Sequence, residues 1–509
     1  MLAFDLKRNV LSVLLVATAL FCGADDEIVK EFKKYFRKYK ETPIRVEAIL
    51  ALEGVESTAV VDALVPLLKD KETEVVDAAV RILAGFESRP PVDALLVDLE
   101  QKKNERIRVG VLRALAEGGY GNTSEAVTVC LEDKSWDVRR RAIQVLGTTG
   151  DVAFAVLIEP LCEDREVAVR CAAIQGMTDL RADAVRARAV AALEDDSWQV
   201  RATAIAALGI VRHVSSIEPL IEQMPKEDGR LREDVAKSLG NLTGRGFGQR
   251  HDQWVRFWET YKGRYEMPTD AELAALRAKQ RARKAEYKPG GQINYHGIET
   301  PTRSVLFVID VSGSMENEIV EKERFEDGDY PSYSRMDIVK TELARTIENL
   351  ESYVKFNILS FATNTKSWKK GLVSANVLNK SSAMDWANRL EPIGGSSKED
   401  LARVGLVASA NLEAGKTNTF GALEWALGMA GRGTKDKHYE VAVDTIFFLS
   451  DGRPTHGRFV DPDDILREVR AANDLRKVVI HTIAIGEFQK TFMERLAQEN
   501  SGVFVDLGR

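Results

Sequence analysis

The feature that most constrains this chain is a period. Taking as the marker the aliphatic residue before an arginine, or before Val76 in the second unit, the first half carries Ile44, Val75, Ile107, Val138, Val169, Val200 and Leu231. Neighbouring markers lie 31 residues apart, except Val75 to Ile107 at 32, which makes seven units. A fixed period of this length means a stack of small units, because one unit alone cannot bury its apolar face. Within a unit the marker is followed by apolar residues four, five and eight places on, such as Val138, Ala142, Ile143 and Leu146. That spacing is one face of a helix. A second apolar segment precedes it, for example "AVTVCLED" or "FAVLIEPLCED". Each unit is therefore expected to be a helix pair. Asp133, Asp164 and Asp195 stand five residues before three of the markers, where a helix N-cap is expected.

These units resemble HEAT-like repeats, in the short form also seen in phycobiliprotein-lyase-type repeat proteins. The resemblance covers residues 30–244 and implies an all-α solenoid. Such a surface binds a protein or simply spaces its neighbour, and both readings stay open. Lyase activity does not carry over, since no chromophore-handling residues are present.

A chain of 509 residues is too long for one core, so several domains are expected. A net charge of −7 gives no bulk attraction to nucleic acid or anionic lipid. Residues 1–24 have the layout of a signal peptide: Lys7 and Arg8, then the apolar run "VLSVLLVATALF", then small residues Cys22 and Ala24. Cleavage is expected after Ala24, with export to a periplasm, cell surface or exterior. An uncleaved anchor is the competing reading. Phe21 before Cys22 argues against lipid attachment. Cys130, Cys162 and Cys171 remain after cleavage and are expected as buried free thiols, with a Cys162–Cys171 bridge left open.

Residues 245–301 join the halves. Trp254, Phe257 and Trp258 lie at helical spacing. A capping helix that closes the last repeat is favoured over an aromatic ligand platform. Thr269 and Glu272 form a capping box opening a charged helix, "AELAALRAKQRARKAEYK", read as a solvated spacer. "PGG" at 289–291 then reads as a hinge.

From residue 302 onward apolar strands alternate with helices. Strands are expected at 305–310, 354–361, 367–372, 444–451, 478–486 and 502–507. Helices are expected at 335–351, 383–390, 419–430, 462–473 and 489–500. This alternation implies an α/β doubly wound, mostly parallel, Rossmann-like sheet. Ligands bind such sheets at the carboxyl ends of strands, where strand order reverses. Asp310, Ser312 and Ser314 end the first strand, Thr417 precedes a helix, and Asp451 ends another strand. Five hard oxygen groups without Cys or His suit a divalent cation, Mg²⁺ first and Mn²⁺ or Ca²⁺ next. With few protein charges on it, such an ion leaves a position for a partner's carboxylate.

The motifs "DVSGSM", "GKTNTFGAL" and "LSDGRPT", followed by "HTIAIG" and "LAQENSGVFVDL", resemble those of von Willebrand factor type A (VWA) domains. The resemblance covers residues 302–509 and implies that family's metal-ion-dependent adhesion site. Ser312, Ser314 and Thr417 would be the hydroxyl ligands, with Asp310 and Asp451 as carboxylates that often act through water. Two departures stand out. An acidic insertion at 316–334 follows the first motif, and "IGGSS" offers Ser396 or Ser397 in place of Thr417. Thr417 is preferred because an asparagine and a helix follow it.

The combined reading is an exported, non-enzymatic protein-binding or adhesion-type protein. Its metal grips an acidic group of a protein partner, and its repeats give a second surface. Neither a Gly-x-Ser-x-Gly elbow nor a His-Glu-x-x-His motif is present. The six histidines are scattered, with His456 alone near Asp451. A subunit of a metal-chelatase-like or AAA-ATPase-linked assembly is the alternative, which a leader peptide opposes.

Overall fold

The computed structural model describes residues 24–101, 104–120, 124–276, 293–295, 298–300, 302–319, 322, 325, 330–394, 415–428, 443–451, 453–485 and 490–507. Most of the expected leader, the charged helix beyond residue 276, the tip of the acidic insertion, Ser396 and Ser397 lie outside them. Two compact units divide the chain, one ending at Ser216 and the other beginning at Ile217.

The first unit is a run of helix pairs. The second helix of successive pairs is Thr42–Leu50, Thr73–Ala84, Glu105–Gly118, Trp136–Gly147, Val167–Asp179 and Trp198–Val211. The marker is the third residue of each. Val75, Val138, Val169 and Val200 are fully buried, as are Ala142, Ile143 and Leu146 on the same face as Val138. Apolar residues at this spacing form one stripe, and packing that stripe holds a helix too short to persist alone. Several first helices tighten into a 3₁₀ turn: Thr58–Leu64 passes into Val65–Lys69, and Ala155–Ile158 into Glu159–Glu163. Pro66 and Pro160 sit at these junctions, where their missing N–H favours the change of bonding.

The aspartates do not cap these helices as expected. The cap positions are Ser135, Glu166 and Ser197, two residues further on. Asp133, Asp164 and Asp195 instead form Asx turns, accepting the N–H of those three residues at 2.8 Å each. The same carboxylates also take an arginine from the preceding unit. Arg108 reaches Asp133 at 2.8 Å, Arg139 reaches Asp164 and Arg170 reaches Asp195. Arg45 makes the same bond to Asp70. Each arginine directly follows its marker, so the period that places the apolar stripe also places this ladder. Cys130, Cys162 and Cys171 are buried and unbridged. Burial pushes the Cys130 thiol up to about 11 and the Cys162 thiol up to about 12, which keeps them protonated and inert.

The second unit begins with helices Ile217–Gln223 and Gly229–Thr243 and then His251–Tyr261. The last buries Trp254, Phe257 and Trp258 and packs on Ile217–Gln223, as a capping helix does. Phe247 and Tyr265 complete its aromatic cluster. The capping box is present: the Thr269 N–H donates to Glu272 Oε2 at 2.8 Å, and the Glu272 N–H to Thr269 Oγ1 at 3.3 Å.

A hairpin of β1 (Ile293–Tyr295) and β2 (Ile298–Thr300) leads into the main sheet. Its strands are β3 (Ser304–Asp310), β4 (Lys355–Phe361), β5 (Thr365–Ser367), β6 (Val373–Ser374), β7 (Thr445–Ser450), β8 (Val479–Ala484) and β9 (Phe504–Asp506). The order is β5-β4-β3-β7-β8-β9, with β6 also on β4. Pairs β3–β4, β3–β7, β7–β8 and β8–β9 are parallel. The interiors of β3 and β7, Val305–Ile309 and Ile446–Leu449, are apolar throughout because both faces are covered. Phe307, Ile309, Phe447 and Leu449 pack with helices Arg335–Asn349 and Val377–Asn388 on one face. Leu306, Val308, Ile446 and Phe448 pack with helices Thr419–Ala426, Pro462–Arg476 and Lys490–Glu499 on the other.

The strand expected at 367–372 is interrupted. The Asn357 side chain accepts the Lys369 N–H at 3.1 Å and donates to the Lys369 carbonyl at 2.8 Å. It thereby replaces the ladder bonds that would have continued β5 into β6. The helix expected at 383–390 starts earlier, at Val377, because Asn376 caps it by accepting the Asn379 N–H.

Candidate metal centre

Strands β3 and β7 are parallel neighbours in register, Ile309 beside Leu449. Asp310 at the end of β3 and Asp451 just past β7 therefore leave the sheet at one edge. Chain order reverses between β3 and β7, since β3 connects onward to β4 on its other side. This is the switch point of the sheet, where a crevice forms.

The loop after β3 is held from both sides. The Val311 N–H donates to the Phe361 carbonyl and the Ile393 N–H to the Val311 carbonyl, each at 2.8 Å. Ser312 then opens a 3₁₀ turn, Gly313–Glu316. This turn brings the alternating oxygens of the motif together. The Ser312 N–H donates to Asp310 Oδ1 at 2.8 Å, and the Ser312 and Ser314 hydroxyls lie 3.2 Å apart. The Ser314 hydroxyl donates to Asp451 Oδ1 at 2.8 Å. The Ser450 hydroxyl donates to Asp310 Oδ2 at 2.5 Å. Asp310 is 0% exposed and Asp451 2%.

Thr417 lies in the adjoining loop and is buried. The Gly313 N–H donates to the Gly415 carbonyl at 3.3 Å, which joins the serine and threonine loops. A latch fixes Thr417 from the other side. Its N–H donates to Thr455 Oγ1 at 3.0 Å, and its carbonyl accepts the N–H groups of Thr455 and His456 at 3.0 and 3.2 Å. Asn418 caps the following helix by accepting the Gly421 N–H at 2.9 Å. Two glycines permit this closeness. A Cβ on Gly415 would meet the Ile393 carbonyl oxygen at 2.1 Å. One on Gly457, whose φ is +111°, would meet Asn418 Oδ1 at 2.1 Å.

Four of the five expected residues thus form one hydrogen-bonded cluster, with Thr417 in the loop beside it. His456 brings its backbone N–H, while its side chain is exposed. Three residues were not foreseen. Ser450 and Thr455 flank Asp451 inside its motif, so their sequence position was a signal. Arg335 had none. It follows the acidic insertion, whose ends close on each other: the Ile319 N–H donates to the Tyr333 carbonyl and the Arg335 N–H to the Asn317 carbonyl, both at 3.0 Å. That closure returns the chain to the site, where Arg335 Nη1 donates to Asp451 Oδ2 at 2.6 Å.

The electrostatics are those of an acid pair short of positive charge. Burial, and next the Asp451 charge, push the Asp310 carboxyl up to about 7. The oxygens of Asp310 meet two neutral donors, Ser312 N–H and the Ser450 hydroxyl. Two carboxylates and three hydroxyls are the donor chemistry of a hard divalent ion, and such an ion would remove the repulsion.

Residues 92–166 and 154–240 match HEAT repeats, and residues 328–506 match the von Willebrand factor type A domain. Human inter-alpha-trypsin inhibitor heavy chain H4 is 27% identical over 210 residues, 41% of this chain and 18% of that protein. Human heavy chain H6 is 28% identical over 211 residues, 41% of this chain and 13% of that protein. The chain spans less than a fifth of the length of these relatives. Among solved structures, the complex of CpcE and CpcF of phycocyanin lyase from Nostoc sp. is 18% identical, covers 46% of this chain and 94% of that chain, and has a TM-score of 0.27.

Proposed function

We propose that this chain, HEAT repeats followed by a von Willebrand factor type A domain, is an exported protein-binding protein that grips its partner through a divalent cation. Asp310, Ser312, Ser314, Thr417 and Asp451 would hold the ion, Mg²⁺ foremost. When bound, the ion supplies an open coordination position that accepts a carboxylate of the partner. The chain's own residues orient the oxygens. Ser450 and the Ser312 N–H fix Asp310, Ser314 fixes Asp451, and Thr455 fixes the Thr417 loop.

One observation carries the reading: two buried carboxylates converge at the switch point, and among the described residues the cation paired with them is Arg335, on Asp451 alone. Such a pair is costly without a cation or a proton. The similarity to inter-alpha-trypsin inhibitor heavy chains supports a protein-interaction role. The repeat array gives a second surface, and two weak contacts on one chain raise avidity. Among the described residues no helix is long and apolar enough to cross a membrane.

Calorimetric titration of the full chain with Mg²⁺ and Mn²⁺ tests the site. One ion per chain is expected, with binding lost in Ser312→Ala and Asp451→Asn. Partner capture from exported proteins is expected in Mg²⁺ and release in EDTA. A partner that stays bound in EDTA and to both variants rules out the metal bridge.

A further inference from the structure

Arg335 sits where the proposed metal site meets its acidic insertion. Its side chain is 11% exposed, against 0% for Asp451, and pairs with Asp451 at 2.6 Å. The same Nη1 lies 3.5 Å from the Ser314 carbonyl. Nε is buried and makes no hydrogen bond. A guanidinium is permanently charged and its fork suits two carboxylate oxygens at once. Here Asp451 Oδ1 is taken by Ser314 and only Oδ2 by the arginine. The arginine is thus anchored from the edge and is not consumed in a closed bidentate pair. Its backbone is equally fixed: Ser334 caps the helix Arg335–Asn349, and the Arg335 N–H is held by the Asn317 carbonyl.

We propose that Arg335 is a built-in counter-cation that makes metal binding and carboxylate binding cooperative. The proposal rests on the metal-site reading above. With both carboxylates ionised, as a bound divalent ion requires, Asp310 and Asp451 together carry −2, and Arg335 brings the cluster to −1. A divalent ion then leaves +1, which a partner's carboxylate neutralises. Without the arginine the loaded cluster is already neutral and has less need of that carboxylate. Arg335 therefore weakens binding of the bare ion and strengthens binding of the ion together with an anionic ligand. The coupling is reciprocal, as any linkage between two ligands must be. Holding Asp451 by one oxygen, Arg335 also acts as a positioning residue for it.

The test uses the full chain and Mn²⁺ alone, then Mn²⁺ with acetate as the carboxylate probe. Free Mn²⁺ is read by electron paramagnetic resonance. In the unaltered protein acetate is expected to tighten Mn²⁺ binding. Arg335→Gln is expected to bind Mn²⁺ roughly tenfold tighter without acetate and to lose most of the acetate effect. Arg335→Lys, which keeps the charge, is expected to retain the unaltered behaviour. The inference is overturned if acetate leaves Mn²⁺ affinity of the unaltered protein unchanged, a measurement that needs no variant to fold. It is equally overturned if a folded Arg335→Gln binds Mn²⁺ no tighter, and the metal site then stands without it. Absence of Mn²⁺ binding to the unaltered protein overturns the metal site itself, a separate result.

Discussion

Arg139 of one repeat grips Asp164 of the next through two parallel bonds, Nε to Oδ2 and Nη2 to Oδ1, each 2.8 Å. Both side chains are under 10% exposed. The same arginine donates to the Asp133 carbonyl at 2.8 Å, and Asp164 holds the Glu166 N–H. One ion pair therefore ties together two inter-helix turns and two repeats.

Removing one partner leaves a buried, unpaired charge. Arg139→Ala is expected to destabilise the repeat unit by roughly 3 kcal/mol. The double variant with Asp164→Ala is expected to cost clearly less than the sum of the two single changes. Urea unfolding followed by helical circular dichroism reads both, and strict additivity would show that the pair contributes nothing.

Asp310 gives a pH prediction. Its folded carboxyl titrates at about 7, against roughly 4 when unfolded. Between those values the folded state holds a proton that the unfolded state has released. Stability contributed by this group is therefore full below pH 4 and lost as pH rises to 7. In EDTA, Asp310→Asn is expected to match the unaltered protein near pH 4 and exceed it above pH 7. Thermal melts across that range check it.

His481 on β8 predicts the opposite slope. Burial first, and then Lys237 and Arg230, hold its imidazole down at about 4. Its ring stacks on Phe447, and Nδ1 accepts the Val503 N–H at 3.0 Å. The unfolded state gains a proton near pH 6.5 that the folded state refuses until pH 4. Stability present above pH 6.5 is then lost as pH falls to 4, by about 3 kcal/mol. His481→Asn keeps an acceptor for Val503 without titrating. Its stability relative to the unaltered protein is expected to improve steadily with acidification. The Asp310 and His481 slopes oppose each other in the unaltered chain, so each is read against its own variant.

The glycine at 457 separates site geometry from global fold. Gly457→Ala is expected to drive a methyl group into Asn418 and open the latch on Thr417. Mn²⁺ affinity should fall at least tenfold while the melting temperature drops by only a few degrees. Unchanged affinity would place Thr417 outside the coordination sphere.

The repeats were legible because their information is local and periodic. A marker four, five and eight places before other apolar residues specifies one helix face wherever it occurs, and repetition confirms it. The same holds for β3 and β7, whose unbroken apolar runs demand cover on both faces. Legibility ended where a polar side chain had a choice of partner. Asp164 reads as a helix cap from its neighbours, yet a bond to an arginine 25 residues earlier decides its role. Asn357 interrupts a strand by the same competition.

At the site, sequence determined the donor chemistry: Asp310, Ser312 and Ser314 alternate along one loop, and Thr417 and Asp451 follow at strand and helix ends. Their order along the chain and the parallel topology were enough to place them at one sheet edge. Only the tertiary structure decided what surrounds them. Ser450, Thr455 and Arg335 reach the cluster through contacts spanning 38 to 140 residues. Charge balance in a buried site is a sum over whatever the fold brings within a few ångströms, so no local pattern can report it.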